Sequence, residues 1–143
     1  MQVIIRNAVI DDYKAIAAIS REDLGYDCSD ELVKQKLEKL DTSREAVFAA
    51  VCDNCVIGYV HAEKYDTLYF ETLVNILGLA VKFDSRRIGA GRRLMEAAEC
   101  WAKENGAAGV RLNSGITRTG AHDFYRSVGY NSEKQQMRFM KKF

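Results

Sequence analysis

Residues 2–6, QVIIR, are apolar enough for a first strand, and residues 12–22, DYKAIAAISRE, place Tyr13, Ile16, Ala17 and Ile19 on one face of a helix. Asp11 has the chemistry of an N-cap for it. Residues 24–30, LGYDCSD, read as a loop, and Ser29 is a second cap before ELVKQKLEKL, where Leu32, Val33, Leu37 and Leu40 share a side. Two apolar runs follow, AVFAAV and VIGYVHA, separated by CDNC; the Asp53-Asn54 centre predicts a hairpin. TLVNILGLAV is long and apolar enough for a central strand, with Gly78 marking a bulge or a close backbone approach. The next helix carries Leu94, Ala97, Ala98 and Trp101 on one face and Glu96, Glu99, Lys103 and Glu104 on the other, and Asn105-Gly106 ends it. A strand GVRLN, a helix around AHDFYRSV closed by Gly129, and a last strand over residues 135–143, QQMRFMKKF, complete the order.

Composition narrows what this alternating plan can be. A chain of 143 residues with 48% hydrophobic content fits one domain over residues 1–143, able to bury roughly two thirds of its unfolded surface. No repeat, low-complexity tract or linker divides it. Twenty-one basic against 20 acidic residues leave a net charge of +1, which argues against a nucleic-acid or membrane partner. No apolar run of membrane-spanning length and no charged-then-apolar leader is visible, so a soluble, cytoplasmic protein is expected. Cys28, Cys52, Cys55 and Cys100 are too scattered for a disulfide framework. Without further ligands nearby, Cys52 and Cys55 read as facing residues of the hairpin, and no metal site is expected.

The charge that matters is local. DSRRIGAGRRLM, residues 84–95, sets Arg86, Arg87, Arg92 and Arg93 around a helix start. That end already carries unpaired N–H groups and partial positive charge, so each cation costs about 0.3–1 kcal/mol. Either the glycines form an ordinary turn with solvated arginines, or this is an anion site where glycines admit a ligand to backbone N–H groups. The P-loop pattern is absent, since neither its glycine spacing nor its Lys-Ser/Thr is present. The dinucleotide fingerprint fails too, because Leu94 stands where a third glycine belongs and the next strand ends in Arg111-Leu112-Asn113 without the acid.

The pattern that fits is R-x-x-G-x-G, from Arg86 to Gly91, between a strand ending in LAV and an amphipathic helix. It resembles the acetyl-CoA-binding motif of the GNAT superfamily of N-acetyltransferases. AHDFYRSVGY is similar to that family's A-x-x-F-Y-x-x-x-G-[FY] helix, with Tyr125 about 35 residues after the glycines. The order of elements agrees over nearly the whole chain. The resemblance implies an α/β fold of α+β type: one mixed, mostly antiparallel central sheet with helices on both faces. It also implies that acetyl-CoA is the cosubstrate. The pyrophosphate would lie on backbone N–H groups of Ile88, Gly89, Ala90, Gly91 and Arg92, with Arg86, Arg87, Arg92 or Arg93 serving it and the 3′-phosphate. The pantetheine arm would run along Leu79, Ala80 and Val81, where an N–H would polarise the thioester carbonyl. Tyr125 would donate a proton to the departing thiolate. Arg118 stands where relatives carry Asn and is a further phosphate candidate.

The general base is less legible. In many such strands an acid sits two residues before the L-A-V segment, where this chain has Leu77. Glu71, further back, is the remaining candidate on that strand, and Glu22 and Asp23 end the first helix; each is also an ordinary surface acid. His61 and His122 titrate in a useful range, although a lone histidine is more often structural. A water chain is the alternative. The acceptor cleft would draw on REDLGYDC and on Tyr65, Tyr69 and Phe70, aromatics equally suited to a core or to a homodimer contact. The expected activity is acetyl transfer to a primary amine of a small molecule or peptide, by direct attack in a ternary complex without a cysteine acyl-enzyme. A non-catalytic acyl-CoA-binding module is the rival reading.

Overall fold

The computed structural model describes residues 2–132 and 134–143, in two compact units, Met1–Leu112 and Asn113–Phe143. The first unit runs β1 (Val3–Asn7), a 3-10 turn (Ile10–Asp12), α1 (Tyr13–Asp23), α2 (Asp30–Glu38), β2 (Glu45–Cys52), β3 (Cys55–Tyr65), β4 (Leu73–Val81), a second 3-10 turn (Phe83–Ser85), α3 (Ala90–Glu104) and β5 (Val110–Leu112). The second contains α4 (Thr119–Ser127). The sheet order is β1-β2-β3-β4-β5, antiparallel except for the parallel β4–β5 pair. This is the mixed, mostly antiparallel sheet expected.

Alternation along the strands sorts the helices to the two faces. Val47, Tyr59 and Ala80 turn toward α1, where Ile16 and Ile19 close a buried cluster flanked by Val33 and Leu37 of α2. Their neighbours Val60, Val74 and Ile76 point the other way, and α3 covers that face with buried Leu94, Met95, Ala98 and Ala102. The Tyr59 hydroxyl lies 2.7 Å from Ser20 Oγ. Ser20 donates its own proton to the Ile16 carbonyl at 2.8 Å, so Tyr59 donates to Ser20, and burial holds the phenol above its ordinary pKa.

Local chemistry sets most boundaries. Asp53 and Asn54 both adopt positive φ, 52° and 63°, as the two central residues of a type I′ hairpin turn must. Cys52 and Cys55 face each other across it. Ser29 caps α2, its hydroxyl accepting the Leu32 N–H at 3.0 Å. The start of α1 differs from expectation: the N-cap is Asp12, not Asp11, because the Ile10–Asp12 turn intervenes. The Asp12 carboxylate does not cap the helix either. Arg6 holds it in a two-pronged ion pair at 2.8 and 3.0 Å, and it accepts the Val9 N–H at 2.8 Å. Residues 135–143 also depart from expectation, forming no strand, with Met137, Phe139, Met140 and Phe143 exposed. Alternating side chains make a segment fit for a strand, but a strand needs a row of partner N–H and C=O groups. The second unit supplies none among its described residues.

Arg6 holds the Asp12 carboxyl below the usual carboxylate range, its hydrogen bonds outweighing the opposing cost of burial. Because the folded pKa is depressed, this stabilisation is present above the unfolded value of about 3.9 and is lost as pH falls through the lower folded value. Asp12→Ala is expected to cost about 1.5–3 kcal/mol near neutrality and less in acid. Parallel urea melts at pH 7 and pH 3 check both the loss and its sign.

Candidate active site

Beside its neighbours, β4 is interrupted twice. Against β3 the register slips: His61 faces Gly78 while Ala62 faces Ile76, so Leu77 is the extra residue of a bulge. The expected bulge is therefore one residue before Gly78. Against β5, pairing covers Val74 to Ile76 alone. Beyond the bulge, β4 keeps β3 but has no strand on its other edge among the described residues. The Lys82 N–H donates to the Ile57 carbonyl at 2.7 Å, and antiparallel alternation then turns Ala80 and Gly78 toward β3 as well. The Ala80 carbonyl confirms the direction, since a Cβ on Gly58 would come within 2.7 Å of it. Leu79 and Val81 consequently present their N–H and C=O groups to the open edge. Ala80, expected to serve the ligand, has its polar backbone turned inward and is buried.

The arginine loop continues directly from that edge. Phe83–Ser85 form a turn, Arg86 is extended, and Arg87 and Gly89 take left-handed φ of 69° and 86°. For Arg87, with a Cβ, this conformation costs about 1–2 kcal/mol. Gly89 is the N-cap of α3, and no side chain caps the helix. The first intrahelical bond is from Arg93 N–H to the Gly89 carbonyl, 3.1 Å, which leaves Ala90, Gly91 and Arg92 N–H groups without a helical acceptor. No acidic residue occupies the first turn. A Cβ at Gly89 would meet nothing within 4 Å, so a side chain there would enter open space.

The four arginines divide into distinct roles. Arg93 donates to the Val3 carbonyl of β1 and is a structural tie. Arg86 donates through Nε to the Val81 carbonyl at 3.3 Å, lies 3.9 Å from Asp23 and stacks over Phe83. Asp23, at the end of α1, also accepts the Phe83 N–H at 2.9 Å. That carboxylate anchors the loop and is not free to serve as a base. Arg87 and Arg92 are exposed and have no ion-pair or hydrogen-bond partner among the described residues.

In the second unit, Arg118 is the exposed N-cap of α4, and its carbonyl accepts the His122 N–H. His122 Nε2 lies 2.9 Å from the Gly115 carbonyl, holding the preceding loop. Tyr125 packs edge-on to Phe124 and Tyr130. Burial pushes its hydroxyl above the ordinary tyrosine pKa, and the Arg118 charge opposes this in part. The phenol is therefore fully protonated near neutrality, the form a proton donor needs.

Glu71 is exposed and lies ahead of β4, not on it. Strand residues from Leu73 to Leu79 alone span about 20 Å, which removes Glu71 from the open edge. Leu77 is 48% exposed and carries no acid. His61, opposite Gly78, lies 2.8 Å from Glu45; the sequence did not single out Glu45. Counting back from the hairpin turn pairs His61 with Ala46, but a second register slip, at Ala50/Val51, pairs it with Val47 and so brings Glu45 to its face. Among the described residues no group of three or more His, Cys, Asp or Glu side chains is placed to hold a metal ion.

The sequence model of the Acetyltransferase (GNAT) family matches residues 13–130. No curated protein matches the chain. The aminoglycoside acetyltransferase AAC(6')-Iy, solved in complex with the bisubstrate analogue CoA-S-monomethyl-acetylneamine, shares the fold with TM-score 0.87 at 17% identity, over 100% of both chains. An aminoglycoside acetyltransferase from an uncultured soil metagenomic sample gives TM-score 0.81 at 21% identity, over 99% of this chain and 96% of that one. A ribosomal-protein-alanine N-acetyltransferase from Brucella melitensis biovar Abortus 2308 gives 0.80 at 14%, over 99% and 100%.

If backbone donors of the loop take a diphosphate, Gly89→Val closes the approach. The new side chain enters open space, so the fold loses only about 1–2 kcal/mol of backbone strain. Titration calorimetry with coenzyme A should show binding weakened at least tenfold, on a protein whose thermal melt remains cooperative. Unchanged affinity removes the loop from the binding site.

Proposed function

Because the chain belongs to the GNAT acetyltransferase family, with acetyl-CoA as the cosubstrate, we propose that it acetylates a primary amine of a small molecule or peptide by direct attack in a ternary complex. The observation that carries this reading is the continuity of an open strand edge with an uncapped helix N-terminus. Leu79 and Val81 offer backbone N–H and C=O groups along β4, and the donors of Ile88 to Arg92 follow within one loop. A flexible amide-containing arm ending in a diphosphate matches that sequence of partners. The diphosphate accepts from the loop's N–H groups, as anions do at helix N-termini, and Arg87 and Arg92 neutralise it and the 3′-phosphate.

Chemistry at the thioester follows from the same edge. A Leu79 N–H aimed at the carbonyl oxygen stabilises the charge that develops there when the amine attacks, an effect worth about 2.7–4 kcal/mol for a single donor in comparable sites. Tyr125, protonated in its half-buried setting, supplies a proton to the departing thiolate; the motif around it supports that role. Arg118 is a further phosphate contact on the same grounds. Aminoglycosides and a ribosomal protein's alanine appear in the names of the solved relatives, which supports an amine acceptor.

Thiol release that requires both acetyl-CoA and an amine tests the reading; acetyl-CoA binding without release by any amine overturns it. Two further outcomes are expected. The melting temperature should rise more with coenzyme A than with its dephospho form, and Arg92→Ala should shrink that difference. Tyr125→Phe keeps the ring and should leave acetyl-CoA affinity unchanged while turnover falls about 10²–10⁴-fold. The loss should be smaller for acyl donors with a more acidic thiol. Full turnover in the variant would make Tyr125 a packing residue only.

A further inference from the structure

The face of the sheet that α1 and α2 cover near Tyr59 continues past them as a run of hydrogen-bonded polar side chains. His61 is at its centre, directly across from Gly78, the residue after the β4 bulge. Gly78 has no side chain to shield it, and its nearest neighbours on this face are the Tyr59 ring and hydroxyl. His61 Nε2 lies 2.8 Å from Glu45 Oε1, and Glu45 Oε2 accepts the Asp41 backbone N–H at 3.3 Å. The carboxylate is thus held from both sides. It accepts, so Nε2 carries the proton and Nδ1 presents a lone pair. Nδ1 has no protein partner among the described residues, and the side chain is 30% exposed.

We propose that His61 is the general base that deprotonates the acceptor amine, and that Glu45 is its positioning residue. This rests on the acetyl-transfer reading above. Hydrogen-bonded antiparallel neighbours such as His61 and Gly78 are separated by about 5.5 Å at Cα, and Leu79, whose N–H faces the open edge, is the next residue after Gly78. β4 lies between His61 and its open edge, one strand spacing of about 4.8 Å away, so the imidazole addresses an attacking nitrogen at that edge across Gly78, through water. Glu71, Asp23 and Leu77 each fail one requirement: position, freedom or chemistry. Tyr59 fails as well, its proton committed to Ser20 and its pKa raised.

The acceptor arrives as an ammonium, and His61 Nδ1 takes one proton, becoming an imidazolium stabilised by Glu45. The neutral nitrogen's lone pair forms the C–N bond while the carbonyl π electrons move to oxygen. Collapse of that adduct re-forms the carbonyl and breaks the C–S bond. The thiolate gains a proton as the new amide nitrogen loses one, and His61 returns its proton to solvent. One ammonium and one thioester yield one amide, one thiol and one proton.

Several charged groups bear on the pH dependence. Glu45 approaches from β2; Glu63, two residues along β3, accepts from Asn75 at 3.4 Å; and Arg111 of β5 donates to Asn75 at 2.7 Å while covering the Tyr65 ring. Arg44 is turned to the Lys64 carbonyl and Asp66. The carboxylate nearest the imidazole is Glu45, at 2.8 Å.

The test is the pH–rate profile of thiol release with acetyl-CoA and a panel comprising a linear polyamine, an amino sugar and a peptide with a free N-terminus. For the unmodified protein, an acidic limb is expected. His61→Gln should lower kcat/KM about 10²–10⁴-fold and abolish that limb, with coenzyme A affinity by calorimetry within twofold of the original. Glu45→Gln keeps an acceptor for Nε2 and should move the limb to lower pH with less than a tenfold loss of plateau rate. Added imidazole should partly restore His61→Gly. An active His61→Gln protein with an unaltered profile overturns His61 as base while leaving acetyl transfer intact. An unmodified protein that binds acetyl-CoA yet releases no thiol with any amine overturns acetyl transfer, and the base with it.

Discussion

Hydrogen bonding along β4 is the constraint on which the site depends. A strand in mid-sheet normally satisfies its N–H and C=O groups on both edges, and leaving them bare is unfavourable. Here the first three residues after Leu73 pair with β5, the bulge at Leu77 follows, and the remainder pairs with β3 alone. The half-free edge is a row of directional donors and acceptors on a rigid support, backed by the α1 cluster and by α3. Arg86 occupies one of these acceptors, the Val81 carbonyl.

The loop that follows concentrates further unfavourable features at one place. A non-glycine residue in left-handed conformation, a helix start without a capping side chain, and exposed cations against the positive end of α3 all cost stability. Each cost falls when a multiply charged anion sits against the N–H groups. Such clustering of strain and unpaired charge is the pattern of a binding site held ready by its surroundings. Asp23, Arg86 and Arg93 supply the surroundings, tying the loop and the first turn of α3 to α1, β4 and β1.

Two register slips in adjacent strand pairs together set the polar face beside that edge. The slip at Ala50/Val51 turns His61 to the side of Glu45, and the slip at His61/Ala62 puts Gly78 opposite His61. Removing either one changes which face a side chain occupies, since side-chain direction repeats every two residues. The same bulges that shape β4 thus decide which titratable groups share its face of the sheet.

Much of this was legible in the amino-acid sequence because it rests on local chemistry. The helices follow from apolar spacing and the Ser29 cap, the hairpin from Asp53-Asn54, and the anion loop from glycines among arginines where a helix begins. Family motifs then supplied the fold and the cosubstrate. The exchange of Asp11 for Asp12, the absence of a strand over residues 135–143 and the inward-facing Ala80 were not legible, nor was the pairing of His61 with Glu45. The first depends on the Ile10–Asp12 turn that precedes α1; the others depend on pairing between segments: a neighbouring strand for the tail, β3 for the direction of Ala80, and a one-residue slip for the histidine. Composition and periodicity report what a segment can form by itself. Register and edge pairing arise between segments, so only the assembled sheet determines which groups are left free.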